Sequence, residues 1–126
     1  YRINLRAPYL LTQGLLPYLN DASHVLFINS GSGLRANAGW SQYAISKFGL
    51  RALADSLRQE VASRIRVTSI YPGRTASPMQ ERVRRLEGKA YDPNDFVRPE
   101  DVALQVVAAL KVSDGVAVTD VSIRPS

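Results

Sequence analysis

Tyr43 and Lys47 stand four residues apart in Tyr43-Ala44-Ile45-Ser46-Lys47. On a helix that spacing puts both side chains on one face, with β-carbons about 6 Å apart. A phenol is a weak acid, and a nearby ammonium favours its phenolate. A tyrosine in that setting can give a proton to a developing alkoxide, or take one from an alcohol, near neutral pH. Of the six tyrosines, only Tyr43 has a lysine four residues on. Ser30 is the second candidate. It follows the apolar run His24-Val25-Leu26-Phe27-Ile28-Asn29, so it would stand at the C-terminal end of a strand. Ligands of open α/β sheets bind beyond those ends, and a hydroxyl there can stabilise charge developing on a carbonyl oxygen. Plainer readings exist for both: a turn serine capping a backbone group, and a chance Tyr-x-x-x-Lys. Tyr71-Pro72-Gly73 closes the following strand, so two strand ends point to one crevice. Thr75 and Ser77 come next, with hydroxyls that could bind a cofactor.

These residues need elements to position them. A first helix is expected from about residue 2 to 19, with apolar positions Ile3, Leu5, Ala7, Leu10, Leu11, Leu15 and Leu16 on more than one face. That spread predicts burial on two sides, and Pro8 predicts a helix start or kink. The run 24–29 is almost wholly apolar, as in a strand covered on both faces. A loop over Ser30–Trp40 leads to a helix from Ser41 or Gln42 to Ala62. Arg66–Ile70 forms the next strand, ended by Pro72-Gly73. Little periodicity follows up to Val97, apart from a short helix after Pro78. Proline and acids in Arg98-Pro99-Glu100-Asp101 open a third helix. Val116–Ile123 is the last strand. Such alternation predicts an α/β domain with a parallel sheet.

The chain has 126 residues, which allows one domain at most. It holds no cysteine and a single histidine, excluding disulfide scaffolds, thiolate metal sites and multi-histidine cages; no metal is expected. No apolar run nears the roughly 18 residues of a membrane span. The net charge of +5 is spread along the chain. Its densest cluster, Glu81-Arg82-Val83-Arg84-Arg85, mixes signs, lacks interleaved aromatics and reads as a solvated mobile segment. Neither nucleic acid nor membrane is expected as a partner. Gly31-Ser32-Gly33-Leu34-Arg35-Ala36 outlines a dinucleotide fingerprint, but Asn37-Ala38-Gly39 extends a loop where a helix should begin. Asn29-Ser30-Gly31-Ser32-Gly33 is no nucleophile elbow, and no histidine follows it. His24, at the start of a strand, falls at the opposite edge from the crevice. The chain opens at Tyr1 without a signal-peptide pattern, inside an element. Its first helix lacks a preceding strand, so the N-terminal half of a doubly wound domain is expected to be missing.

Taken together, these motifs resemble the C-terminal part of a short-chain dehydrogenase/reductase of the single-domain branch. Ile28-Asn29-Ser30-Gly31-Ser32-Gly33 is similar to that family's serine motif, and Tyr43 follows Ser30 at the family's usual gap of 13 residues, with Lys47 completing Tyr-x-x-x-Lys. Asn4 matches the asparagine of the preceding helix, and Pro72–Met79 resembles the proline-glycine cofactor motif. The likeness covers nearly the whole chain. It implies that 1–126 is the C-terminal portion of one NAD(P)-binding Rossmann-fold domain, whose first strands and cofactor turn are absent. It implies an NAD(P)-dependent oxidoreductase interconverting an alcohol and a ketone or aldehyde, active only with its N-terminal half. Tyr43 would be the general acid/base. Lys47 would assist it by charge and bind the nicotinamide ribose. Ser30 would polarise the substrate carbonyl, and Asn4 would hold a relay water. Pro72, Gly73, Thr75 and Ser77 would cradle the nicotinamide of NADP or NAD. Residues 78–97 would form a substrate lid, with Trp40 in the pocket. Asn29 stands where the family commonly has serine, a change read as minor. A small-molecule carbonyl or alcohol substrate, a homodimer or homotetramer built on the helices at 2–19 and 42–62, and a cytoplasmic location complete the expectation. Competing readings are a non-catalytic regulator on the same fold, an inactive fragment and a nucleotide-sugar epimerase or dehydratase. About fifty residues after Gly73 leave little room for the substrate domain an epimerase would add.

Overall fold

A computed structural model of the protein describes residues 2–62 and 64–126; Tyr1, Ser63 and the side chains of Arg2 and Ile3 lie outside the described residues. A π-helical turn (Arg2–Arg6) runs into α1 (Ala7–Leu15) and a short 3-10 turn (Leu16–Tyr18). Next come β1 (His24–Ile28), a 3-10 turn (Gly31–Gly33), α2 (Ser41–Val61) and β2 (Arg66–Pro72). The chain then forms α3 (Pro78–Leu86), a 3-10 turn (Pro93–Asp95), α4 (Pro99–Leu110) and β3 (Asp120–Ile123). The strands lie in the order β1-β2-β3 and all pair in parallel. His24 faces Arg66 and Ile28 faces Ile70 across the first pair; Ser69 faces Asp120 and Pro72 faces Ile123 across the second. All three strands therefore end on one edge of the sheet, at Asn29, Gly73 and Arg124. This is the α/β architecture with a parallel sheet that the sequence predicts.

The core forms where α2 lies on the sheet. Leu50, Ala54, Leu57 and Val61 recur at helical spacing and pack with Phe27, Ile65 and Val67. Burying side chains of this size stabilises the fold by about 1.5–3 kcal/mol each. Ala54 is fully buried, and its small side chain lets the helix approach the strands closely. Against the sheet, α4 buries Ala109, and the Arg66 guanidinium holds its C-terminal end by donating to the carbonyls of Val112 (3.0 Å) and Ser113.

Three expectations need correction. The helix at 2–19 is three segments, not one. Pro8 has no N–H and cannot bond the carbonyl four residues back, which is that of Asn4, so the ladder opens into a π-turn around Asn4. Burial on two sides is also wrong within this chain. Leu5 and Leu16 face α2, whereas Tyr9, Leu10, Leu11 and Leu15 stand exposed, Leu11 by 63%. The last strand begins at Asp120 rather than Val116. Ahead of it, the carbonyls of Val118 and Thr119 accept from the Thr68 hydroxyl and the Ser69 N–H, a tether without a regular ladder.

Candidate active site

Ser30 stands just beyond β1 in extended backbone and caps the 3-10 turn at Gly31–Gly33. Its Oγ accepts from the Ser32 N–H (3.1 Å), which leaves its own O–H to donate elsewhere. The plain capping reading is therefore true, and it is compatible with the catalytic one. The glycines here make a 3-10 turn followed by loop, so they offer no helix N-terminus to a pyrophosphate.

Tyr43 and Lys47 share a face of α2, in its first two turns. The Lys47 ammonium lies 5.7 Å from the centre of the Tyr43 ring, within cation–π range. Trp40 packs edge-on against the same ring, centroids 6.1 Å apart. Lys47 Nζ also donates to the Ile28 carbonyl (3.4 Å), tying the ammonium to the end of β1. Half-buried, it sits in a setting that disfavours its charge, and burial lowers its pKa below the ordinary lysine value.

Asn4 joins this group through a residue the sequence reading overlooked. Its Nδ2 donates to Ser46 Oγ at 3.4 Å, and Ser46, 1% exposed, donates in turn to the Tyr43 carbonyl (2.8 Å). Gly49, one turn further along α2, makes the approach possible. A Cβ there would come within 2.7 Å of the Leu5 side chain. Glycine costs a helix interior about 1 kcal/mol relative to alanine, and here it admits the π-turn that carries Asn4.

Asn29, weighed in the sequence only as a minor change, also ties into the site. Its carboxamide bridges the Ser30 N–H (2.8 Å) and the Lys47 carbonyl (3.1 Å), so it joins the two candidate catalytic elements. Neither Asn29 nor Ser46 stands out by type or spacing.

At the end of β2, Gly73 donates its N–H to the Ile123 carbonyl (2.8 Å). A Cβ on Gly73 would press on that same oxygen at 3.3 Å. The Thr75 hydroxyl donates to the Gly73 carbonyl (3.0 Å). Ser77 Oγ accepts from the Gln80 N–H (3.2 Å) and so caps α3, keeping its own proton to donate. The segment between β2 and α4 is tied at its base: Thr75 pairs with Val97, with Val97 N–H on the Arg74 carbonyl and Ala76 N–H on the Val97 carbonyl. Arg74 also reaches both carboxylate oxygens of Glu87 (3.2 and 3.4 Å), and that guanidinium holds the Glu87 carboxyl below the usual carboxylate range. The mixed-charge run at 81–85 lies in α3, the short helix expected after Pro78, and Arg84 lies over the Phe96 ring at 5.3 Å.

His24 lies outside this edge. The Thr68 hydroxyl donates to Val118, so it accepts from His24 Nε2–H (2.6 Å), while Nδ1 is buried without a partner among the described residues. A groove of about 770 Å³ runs between α1 and α2 past Tyr9, Leu10 and Leu53 and holds none of the candidate site residues.

The chain is 35% identical over 103 residues to the oxidoreductase YciK of Escherichia coli K12, covering 80% of this chain and 39% of that one. It is 32% identical over 127 residues to the 3-oxoacyl-[acyl-carrier-protein] reductase FabG of Thermotoga maritima, covering 93% and 50%. A short chain dehydrogenase of Escherichia coli CFT073, solved in complex with NADPH, superposes with a TM-score of 0.83 at 29% identity, over 96% of this chain and 50% of that one. The chain spans about half the length of these relatives, or less. The sequence model of the family described as short chain dehydrogenase matches residues 1–88, most of the chain, and with the shared parallel α/β fold this shows that the chain belongs to the short-chain dehydrogenase family of oxidoreductases.

Proposed function

We propose that residues 1–126 are the C-terminal portion of one NAD(P)-binding Rossmann-fold domain, and that the full protein interconverts an alcohol and a ketone or aldehyde with NADP or NAD. The observation that carries this reading is the cross-linked edge itself. Lys47 lies over Tyr43 and bonds Ile28 at the end of β1, next to Ser30, and Asn4 is held on the same helix through Ser46. A fold needs none of these contacts as a group.

The residues fit the nicotinamide end of such a cofactor. The Lys47 ammonium has one protein acceptor among the described residues and three donors, which leaves two for ribose hydroxyls. Thr75 and Ser77 set hydroxyls beyond β2, beside a glycine that keeps the backbone narrow. When bound, the nicotinamide supplies or accepts the hydride. The Ser30 O–H donates to the substrate carbonyl oxygen, and the Tyr43 O–H gives that oxygen its proton. Lys47 supports the negative charge left on the tyrosine oxygen. The Asn4 carbonyl, which Pro8 leaves without its helical partner, holds a water that restores the proton through Lys47.

Exposed Tyr9, Leu10, Leu11 and Leu15 on α1 and Ile45 and Phe48 on α2 support a homodimer or homotetramer. No helix among the described residues is long and apolar enough to cross a membrane. We place the enzyme in the cytoplasm, acting on a small molecule and on neither nucleic acid nor membrane.

A fluorescence titration of the full protein with NADPH and NADH tests the reading. Saturable binding of at least one is expected, weakened by Lys47→Met. Binding of neither would show a non-catalytic protein on this fold.

A further inference from the structure

Asn29 is 3% exposed, and its backbone N–H donates to the Ile70 carbonyl (2.7 Å). Both ends of its side chain are committed. The carboxamide oxygen accepts from the Ser30 N–H at 2.8 Å, and the carboxamide nitrogen donates to the Lys47 carbonyl at 3.1 Å. The partners fix which end is which, since an N–H needs the oxygen and a carbonyl needs the nitrogen. The Lys47 carbonyl has two lone pairs and can serve its helix and Asn29 together. In the opposite direction, Lys47 Nζ donates to Ile28. Two bonds therefore join the same two segments, one from strand to helix and one from helix to strand.

Gly33 completes the arrangement. A Cβ at Gly33 would overlap the Asn29 carboxamide, coming to 2.8 Å from its carbon and 2.9 Å from its nitrogen. A serine hydroxyl at position 29 would also have an acceptor and a donor, but on a side chain shorter than the carboxamide that spans from Ser30 to Lys47.

We propose that Asn29 is a positioning residue, whose carboxamide holds the Ser30 hydroxyl in register with Tyr43 and Lys47. The proposal rests on the active-site reading above. Misplacing a catalytic group by about 1 Å can cost on the order of 100-fold in rate.

The test is steady-state kinetics of the full protein on one carbonyl substrate, with NADPH affinity and melting temperature measured alongside. Asn29→Ala is expected to lower kcat about tenfold or more, with NADPH affinity within roughly twofold of the parent. Because Asn29 acts through Ser30, adding Asn29→Ala to Ser30→Ala should cost less than about twofold more. Hydrogen exchange at the Ser30 amide should quicken in Asn29→Ala. If that variant does not fold, Asn29→Asp carries the test. It keeps the acceptor for Ser30 and presents a second acceptor to the Lys47 carbonyl, so kcat should again fall. Parental kcat in the folded variant, or fully additive losses in the double variant, would overturn the proposal. Unchanged kcat in Ser30→Ala and Tyr43→Phe would instead overturn the active-site reading beneath it.

Discussion

At the residue scale, the proposed chemistry depends on an ammonium kept beside a phenol. Lys47 is tied to Ile28 and half-buried, which lowers its pKa from the ordinary lysine value. Removing the charge while keeping the chain length isolates its role. Lys47→Met is expected to lower kcat by about 100-fold or more, with a melting temperature close to that of the parent, because the lost charge-supported proton transfer is of that size. A kcat near the parental value would show that the ammonium does no chemistry. Ser30, Tyr43 and Lys47 were legible in the sequence because their types and spacing are themselves the signal. Asn29 and Ser46 were not. Their roles rest on bonds from Asn29 to Lys47 and from Asn4 to Ser46, and periodicity says nothing about contacts between distant segments.

At the element scale, long patterns were read well and junctions poorly. Both α2 and α4 show helical spacing over several turns, β1 is a dense apolar run and β2 is stopped by Pro72-Gly73, so tertiary context only confirmed them. Pro8 marked the break in the first helix, but the resulting π-turn also needed Leu5 to settle against Gly49. Helix α3 was legible from Pro78, and its anchoring was not. Its C-terminal end is a Schellman arrangement, with Gly88 N–H on the Arg85 carbonyl and Lys89 N–H on the Arg84 carbonyl. Gly88 takes φ +71°, where a side chain is strained. That turn presents Glu87 to Arg74. Gly88→Ala should therefore cost about 1 kcal/mol of local stability. It should appear as faster hydrogen exchange over residues 78–88, with β2 unchanged. Equal exchange in both proteins would mean that the turn does not anchor α3.

At the scale of the whole molecule, the parallel sheet sends its functional ends to one side and leaves His24 at the other. Its Nδ1 is buried without a partner among the described residues, and desolvation, followed by the Arg66 charge, lowers its pKa below the ordinary histidine value. The unfolded chain then binds the proton more readily. Stability from the neutral ring is full above about pH 6.5 and is lost as pH falls through that value toward the folded pKa. Urea midpoints measured across this range should fall more steeply for the parent than for His24→Gln; parallel slopes would remove His24 from the account. The central claim is that this edge performs proton transfer for a nicotinamide-dependent reaction. Tyr43→Phe tests it most directly, by single-turnover carbonyl reduction in the full protein with NADPH affinity measured alongside. The account predicts a rate lower by about 100-fold or more, with cofactor affinity nearly intact. A parental rate in Tyr43→Phe would contradict it.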